Sequence, residues 1–144
     1  IGDDDQDREH IALMSFELPN QNENVEKAEI RLWPEDIAGE PFGAMGNLVV
    51  HHVEYGENLT FRPGLDFKES RALVSEDPIR EAETTFGVNV TSAVQAAIEA
   101  DMVKFQVAIY FQDGVQSDGA KDMLEIGSSR PGTLLWPELS IRYE

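Results

Sequence analysis

The sequence contains no cysteine, which excludes disulfides, thiolate metal sites and cysteine nucleophiles. It also lacks any apolar run of the roughly 18–20 residues that a membrane-spanning helix needs. Basic residues are scarce, because 11 Lys and Arg stand against 28 Asp and Glu, giving a formal net charge of −17. A surface this acidic repels phosphate backbones and anionic lipid headgroups, so we expect no nucleic-acid partner and no membrane insertion.

Motifs of common catalytic sites are absent as well. The chain has no His-x-His pair, no Gly-x-Ser-x-Gly elbow and no glycine-rich phosphate loop. His51 and His52 are neighbours, so on a strand their side chains point to opposite faces and cannot share a metal ion. Among 28 acidic residues, carboxylate pairs with the spacing of a glycosidase arise by chance. We therefore expect no enzymatic activity.

The chain does contain enough apolar material for one folded domain. Its 144 residues match a single domain, and 41% of them are hydrophobic, unlike disordered acidic tails. No repeat or linker divides it, so we expect one domain over residues 1–144, with residues 1–10 as an acidic N-terminal arm. The first residue is Ile1 rather than methionine, which indicates a removed leader or an excised piece.

Period-two alternation of apolar residues predicts a fold made mainly of β-strands. Turns that contain Gly or Pro separate the alternating runs, a pattern typical of an antiparallel β-sandwich. The predicted strands cover residues 12–18, 28–32, 47–53, 103–111 and 139–143, with a shorter and ambiguous run at 123–126.

Only one segment has the pattern of a helix. Ser92 and Gln95 have the spacing of a capping box, and Val94, Ala97 and Ile98 share one face. The sequence therefore predicts an all-β fold with one short helix. Residues 56–83 are charged and irregular, and we expect a long loop there with at most one edge strand.

The order of these segments resembles that of the DNRLRE-type extracellular domains. The segment from Asn89 to Gln95, NVTSAVQ, is similar to the DVTSAVQ helix of that family. A comparable but poorer match exists with the propeptide of TGF-beta-like growth factors. The segments that resemble the family, in chain order, are residues 11–19, 25–33, 89–95, 105–109, 128–130 and 137–143.

This resemblance implies a jelly-roll-like β-sandwich located outside the cell or on its surface. Members of the family are often attached to polysaccharide-active or cell-surface proteins, and some relatives are carbohydrate-binding modules. The chain departs from the family in having Pro131 after Arg130, where the family has Glu, and no tryptophan between Trp33 and Trp136. No sugar-binding residue can therefore be transferred by motif.

Two groups of aspartates have the oxygen-rich pattern of a calcium site. The first has D-x-D-x-D spacing within the N-terminal arm, and the second surrounds two Asp-Gly turns. Calcium takes six to eight oxygen ligands, which such loops offer, whereas the alternative is a pair of solvated loops on an acidic protein. The candidate ligands are Asp3, Asp5, Asp7, Asp113, Asp118 and Asp122.

Four aromatic residues are candidates for stacking on sugar rings, because the face of an aromatic ring packs against the apolar face of a pyranose. We expect Trp33 and Tyr110 on the polar faces of their strands, and Trp136 and Tyr55 near turns. For each ring the alternative is an ordinary position at the edge of the core.

Two functions remain open at this point. The first is a non-catalytic extracellular module that binds polysaccharide or mediates surface attachment. The second is a subunit that assembles with copies of itself into a filament or surface layer by strand exchange, with calcium as a stabilising ion. Open strand edges favour the second, because they pair readily with another chain.

Overall fold

The computed structural model describes residues 1–19, 23–55, 85–127 and 136–144. Within these ranges the fold is all-β and antiparallel, which confirms the prediction from the alternation of apolar residues. The elements in chain order are β1 (Gly2–Asp3), β2 (Glu9–His10), β3 (Ala12–Glu17), β4 (Val25–Leu32), β5 (Pro34–Ala38), α1 (Pro41–Ala44), β6 (Leu48–Val53), β7 (Phe86–Asn89), α2 (Thr91–Glu99), β8 (Lys104–Phe111), β9 (Asp122–Ile126) and β10 (Glu138–Tyr143).

The strands that the structure describes form three antiparallel sheets around one hydrophobic core. Their orders are β3-β8-β6, β10-β4-β7 and β2-β1-β9-β5. All three sheets contribute buried residues to the core, for example Phe105, Ile30 and Leu124. Burying an aliphatic or aromatic side chain of this kind contributes about 1.5–3 kcal/mol, so the shared core holds the sheets together.

The helix α2 packs beside β4 where β7 has ended, and it supplies a hydrogen-bond partner to the β4 backbone there. Val94, Ala97 and Ile98 are buried on its inner face, as predicted. The predicted capping box is wrong, because the helix begins at Thr91 and has no side-chain cap. Gln95 instead accepts a hydrogen bond from the backbone N–H of Val25 at 2.7 Å, supplying a partner that β7 is too short to provide.

The face of β8 that was expected to be polar and exposed is buried. Tyr110 does share the polar face of β8 with Gln106, but each is only 5% exposed, so the expectation that the Tyr110 ring is available to a sugar is wrong. The Tyr110 hydroxyl lies 3.0 Å from the ring nitrogens of His51, and Gln106 hydrogen-bonds to Ser15. A sheet can bury polar side chains when they are hydrogen-bonded to one another.

Several elements were not anticipated from the sequence. These are the two-residue strands β1 and β2, the strands β5 and β7, and the single turn of α1. The long loop predicted over residues 56–83 lies outside the described residues. In the ranges that are described, neither helix is long and apolar enough to cross a membrane.

Candidate functional site

A cavity of about 680 Å³ runs along β3, and we call it the β3 groove. Its described lining residues include no charged side chain, although 27% of the chain is charged. The size is typical of a ligand-binding cleft. The lining residues are Ala12, Leu13, Met14, Ser15, Phe16, Ile126, Gly127, Trp136 and Pro137.

The backbone of β3 contributes polar groups to this groove. In the described part of the chain β3 pairs only with β8, so it is an edge strand. The N–H of Leu18 donates to the carbonyl of Val103, just before β8, and successive residues turn their backbone groups to alternate sides. The N–H and C=O groups of Leu13 and Ser15 therefore point away from β8, toward the groove.

Trp136 is the exposed aromatic side chain of the groove. It lies just before β10, followed by Pro137, and is 56% exposed. An exposed indole ring beside a strand edge offers one flat apolar surface and one row of hydrogen-bonding groups. This arrangement suits an extended ligand with both apolar faces and hydroxyl or amide groups.

A hydrogen-bonded network supports the groove at Ser15. The Ser15 hydroxyl lies 3.2 Å from the Nε2 donor of Gln106, whose Oε1 accepts from the backbone N–H of Tyr55 at 2.9 Å. Burial raises the pKa of Tyr55, and a hydrogen bond with Ser15 acts in the opposite direction. Tyr55 is half-buried, so it acts behind the groove rather than as part of its described lining.

The other two predicted sugar-stacking rings are not among the described lining residues of the groove. Trp33 is half-buried between β4 and β5, and its carbonyl accepts a hydrogen bond from Gly127 at 2.8 Å. Tyr110 packs edge-to-face on His51, with ring centroids 5.0 Å apart, and its burial corrects the expectation of an exposed ring. His52 stacks on Phe105 at 4.8 Å, which confirms that the two histidines use opposite faces of β6.

The two groups of aspartates meet in one region, which we call the acidic end. It comprises residues 1–10 and the segment 112–122 that packs against them. Asp3 in β1 is the register partner of Asp122 in β9. Asp3 Oδ2 accepts from the N–H of Gln116 at 3.0 Å, and Asp7 Oδ1 accepts from the N–H of Gly119 at 2.9 Å. The carboxylates of the N-terminal arm thus hold the loop between β8 and β9.

Asp4, which the spacing of the aspartates did not single out, has the largest number of contacts at the acidic end. Its Oδ1 accepts from the N–H groups of Gln6 at 2.9 Å and Arg8 at 3.0 Å. Its Oδ2 accepts from the Arg8 guanidinium at 2.8 Å and lies 2.9 Å from His10 Nε2. The hydrogen bond with His10, followed by those from Arg8 and Gln6, holds the pKa of Asp4 well below its usual range, although burial opposes this.

The remaining predicted ligands are placed as follows. Asp118 Oδ1 accepts from the N–H of Ala120, and Asp122 Oδ1 accepts from the N–H of Glu40. Asp113 packs under Gly46, where a Cβ would lie 2.4 Å from its carboxylate, and Asp5 is exposed. Among the residues with described positions, no three or more side chains form a group that could hold a metal ion. Calcium therefore stays a prediction.

Comparisons with known proteins do not assign the chain to a family. No protein-family model matches it, and no curated protein matches it. The resemblance to DNRLRE-type domains therefore also stays a prediction.

Proposed function

We propose that this chain is a non-catalytic extracellular module that binds a neutral polysaccharide in the β3 groove. The observation that carries the proposal is an exposed tryptophan beside a groove whose described lining residues carry no charge, on a strongly acidic protein. In this arrangement Trp136 stacks on a sugar ring, and the outward backbone groups of Leu13 and Ser15 bond to its hydroxyls.

The electrostatics favour a neutral glycan over an acidic one. A net charge of −17 repels uronates and sulfated sugars, and the groove offers no basic side chain among its described lining residues. A neutral glycan meets no such repulsion. Its affinity then depends on ring stacking and on hydrogen bonds that replace those to water.

Two further points support the remaining parts of the proposal. A non-catalytic role agrees with a sequence that lacks the common catalytic motifs. An extracellular location agrees with the resemblance to DNRLRE-type domains. The same resemblance suggests a role in surface attachment.

Affinity gel electrophoresis tests the proposal directly. The wild-type chain is run through gels that contain β-glucan, xylan, mannan or, as an acidic comparison, polygalacturonate. We expect at least one neutral polysaccharide to retard it, and Trp136→Ala to remove the retardation. Val103→Ala is the matched control, because Val103 is 75% exposed but does not line the groove. Migration unaffected by every neutral polysaccharide would contradict the proposal.

A second candidate function is favoured by the open edge of β3. Within the described residues no strand pairs with the outward side of β3, so a strand from another copy of the chain can add there. Repeated addition of this kind would build a filament or surface layer.

Self-association separates the two candidates. Leu13→Pro removes an N–H that points away from β8, while Leu13→Ala keeps it. If copies join through β3, sedimentation velocity shows assembly of the wild type and of Leu13→Ala but a monomer for Leu13→Pro. A wild type that stays monomeric up to its solubility limit rules out this second function.

A further inference from the structure

Two aspartates are buried side by side at the acidic end. Asp3 and Asp122 are directly opposite each other in the antiparallel pair of β1 and β9. Opposite residues share a face, with Cβ atoms about 4.5–5.5 Å apart. Asp3 is completely buried and Asp122 is 6% exposed. Two negative charges at this distance repel each other, and burial leaves little water to screen such a repulsion.

Backbone N–H groups donate hydrogen bonds to only some of the carboxylate oxygens of this pair. Asp3 Oδ2 accepts from Gln116, and Asp122 Oδ1 accepts from Glu40 at 2.6 Å. The second oxygen of Asp3, Oδ1, is buried and has no hydrogen-bond partner among the described residues. In the described ranges neither aspartate forms an ion pair with a basic side chain. A buried anionic oxygen without a donor or a counter-charge is strongly unfavourable.

We propose that Asp3 and Asp122 hold a calcium ion that joins β1 to β9. The ligating side-chain atoms are all carboxylate oxygens, which hard divalent cations prefer. Calcium accepts irregular sets of six to eight oxygens that include backbone carbonyls and water, whereas magnesium needs a near-ideal octahedron. The ion gives Asp3 Oδ1 the positive partner that it lacks and removes the repulsion between the two carboxylates.

The number of side-chain ligands sets the strength of this site. Two carboxylates are the only side-chain ligands proposed for the ion, and waters or backbone carbonyls fill its other coordination positions. Such a site belongs to the weak class found in extracellular modules, with a Kd of about 10⁻⁴–10⁻³ M. It is separate from the β3 groove, and its presence or absence leaves the proposed polysaccharide binding untouched.

The experiment is a calcium titration of the chelator-treated chain, followed by amide NMR and by thermal unfolding. We expect saturable shifts that are largest at Gly2, Asp3, Gln116 and Met123, together with a rise in Tm. Asp3→Asn should weaken calcium binding at least tenfold. Asp5→Asn is the matched control, since Asp5 is an exposed aspartate of the same arm and should bind calcium like the wild type.

Several results would contradict the proposed calcium site. One is a wild-type spectrum and Tm that do not change up to about 10 mM calcium, well above the expected Kd. Others are equal effects of calcium and magnesium, which indicate general screening, and unchanged calcium binding by Asp3→Asn. If Asp3→Asn does not fold, Asp122→Asn and the wild-type shift map decide the question. A map centred outside β1 and β9 contradicts the site.

Discussion

At the acidic end, carboxylates accept hydrogen bonds from the backbone N–H groups of neighbouring segments, whereas the β3 groove has no charged side chain among its described lining residues. Asp3, Asp7 and Asp122 each accept such a bond, and Asp4 accepts backbone bonds from within its own arm. Trp136, in contrast, is left largely exposed.

The difference indicates that negative charge is concentrated where it orders the chain and is kept away from the described lining of the groove. At the acidic end it orders loops, since a carboxylate that accepts several N–H bonds is stabilised in its charged form. At the groove its absence lets a neutral ligand bind without desolvating ions. Substitutions at the acidic end should therefore change stability, and substitutions in the groove should change binding.

The largest effect on stability is expected for Gly2→Ala. Gly2 has a φ of +129°, and a Cβ there would lie 2.1 Å from the carbonyl oxygen of Asp122. We expect the free energy of unfolding to fall by about 2–4 kcal/mol, because backbone strain adds to a forced shift of β9. Urea unfolding measures this.

Gly119→Ala provides the matched control for that substitution. Gly119 also has a positive φ, +70°, but nothing lies within 4 Å of the position of its Cβ. Only the left-handed backbone is then penalised, by about 1–2 kcal/mol. Equal losses for the two variants would show that β1 does not pack closely on β9.

Asp4→Asn should remove part of the pH dependence of stability. The pKa of Asp4 in the folded chain lies below the usual value of 3.8, so the charged form stabilises the fold. This stabilisation is complete above about pH 4 and is lost as the pH falls through the lower, folded-state pKa. The difference in unfolding free energy between wild type and Asp4→Asn should be constant from pH 7 to 5 and shrink below about pH 4.

A difference that stays constant into the acid range would contradict the role given to Asp4. The exposed Asp5 again serves as a control. Asp5→Asn should unfold with nearly the wild-type free energy at pH 7, because Asp5 accepts no hydrogen bond among the described residues.

Salt should separate the two regions further. Raising NaCl from about 0.05 M to about 1 M shortens the Debye length to about 3 Å and screens repulsion among exposed carboxylates. We expect Tm to rise, while affinity for a neutral polysaccharide changes less than about twofold, because the described lining residues of the groove carry no charge that salt could screen. Binding that weakens steeply with salt would mean that charged groups take part in it.

The smallest effect is expected for Ser15→Ala at the back of the groove. The change removes an acceptor for Gln106 and a partner of Tyr55, which should cost about 0.5–1.5 kcal/mol. The pKa of Tyr55 should rise further, since the hydrogen bond that opposes the effect of burial is lost. Spectrophotometric titration of the tyrosines checks this, and a lower Tyr55 pKa would contradict the network.

Alternation predicted β3, β4, β6, β8 and β10 because each places apolar residues of one face against the core, fully buried in β4, β6 and β8 and partly buried in β3 and β10. The strand β5 was missed because it begins at Pro34 and exposes Glu35 and Asp36. β7 was missed because it is only four residues long and contains Gly87. Short strands are fixed by their neighbours in the sheet rather than by their own pattern.

The site was less predictable than the fold. Trp136 was a candidate as an aromatic ring, but its association with the edge of β3 depends on contacts distant in sequence. Tyr110 was wrongly expected to be exposed, because its partner His51 lies on another strand. Asp4 did carry a local signal, since an aspartate that bonds to the N–H two residues ahead, here Gln6, is a common turn.

The most direct test of the central claim is an amide and indole NMR map of the wild-type chain titrated with cellohexaose, xylohexaose and mannohexaose. We expect at least one of these neutral oligosaccharides to shift the amides of Leu13 and Ser15 and the indole of Trp136. Gln116 and Gly119 at the acidic end should not move. Shifts centred on the acidic end, or no shift in the groove with any of the three, would contradict it.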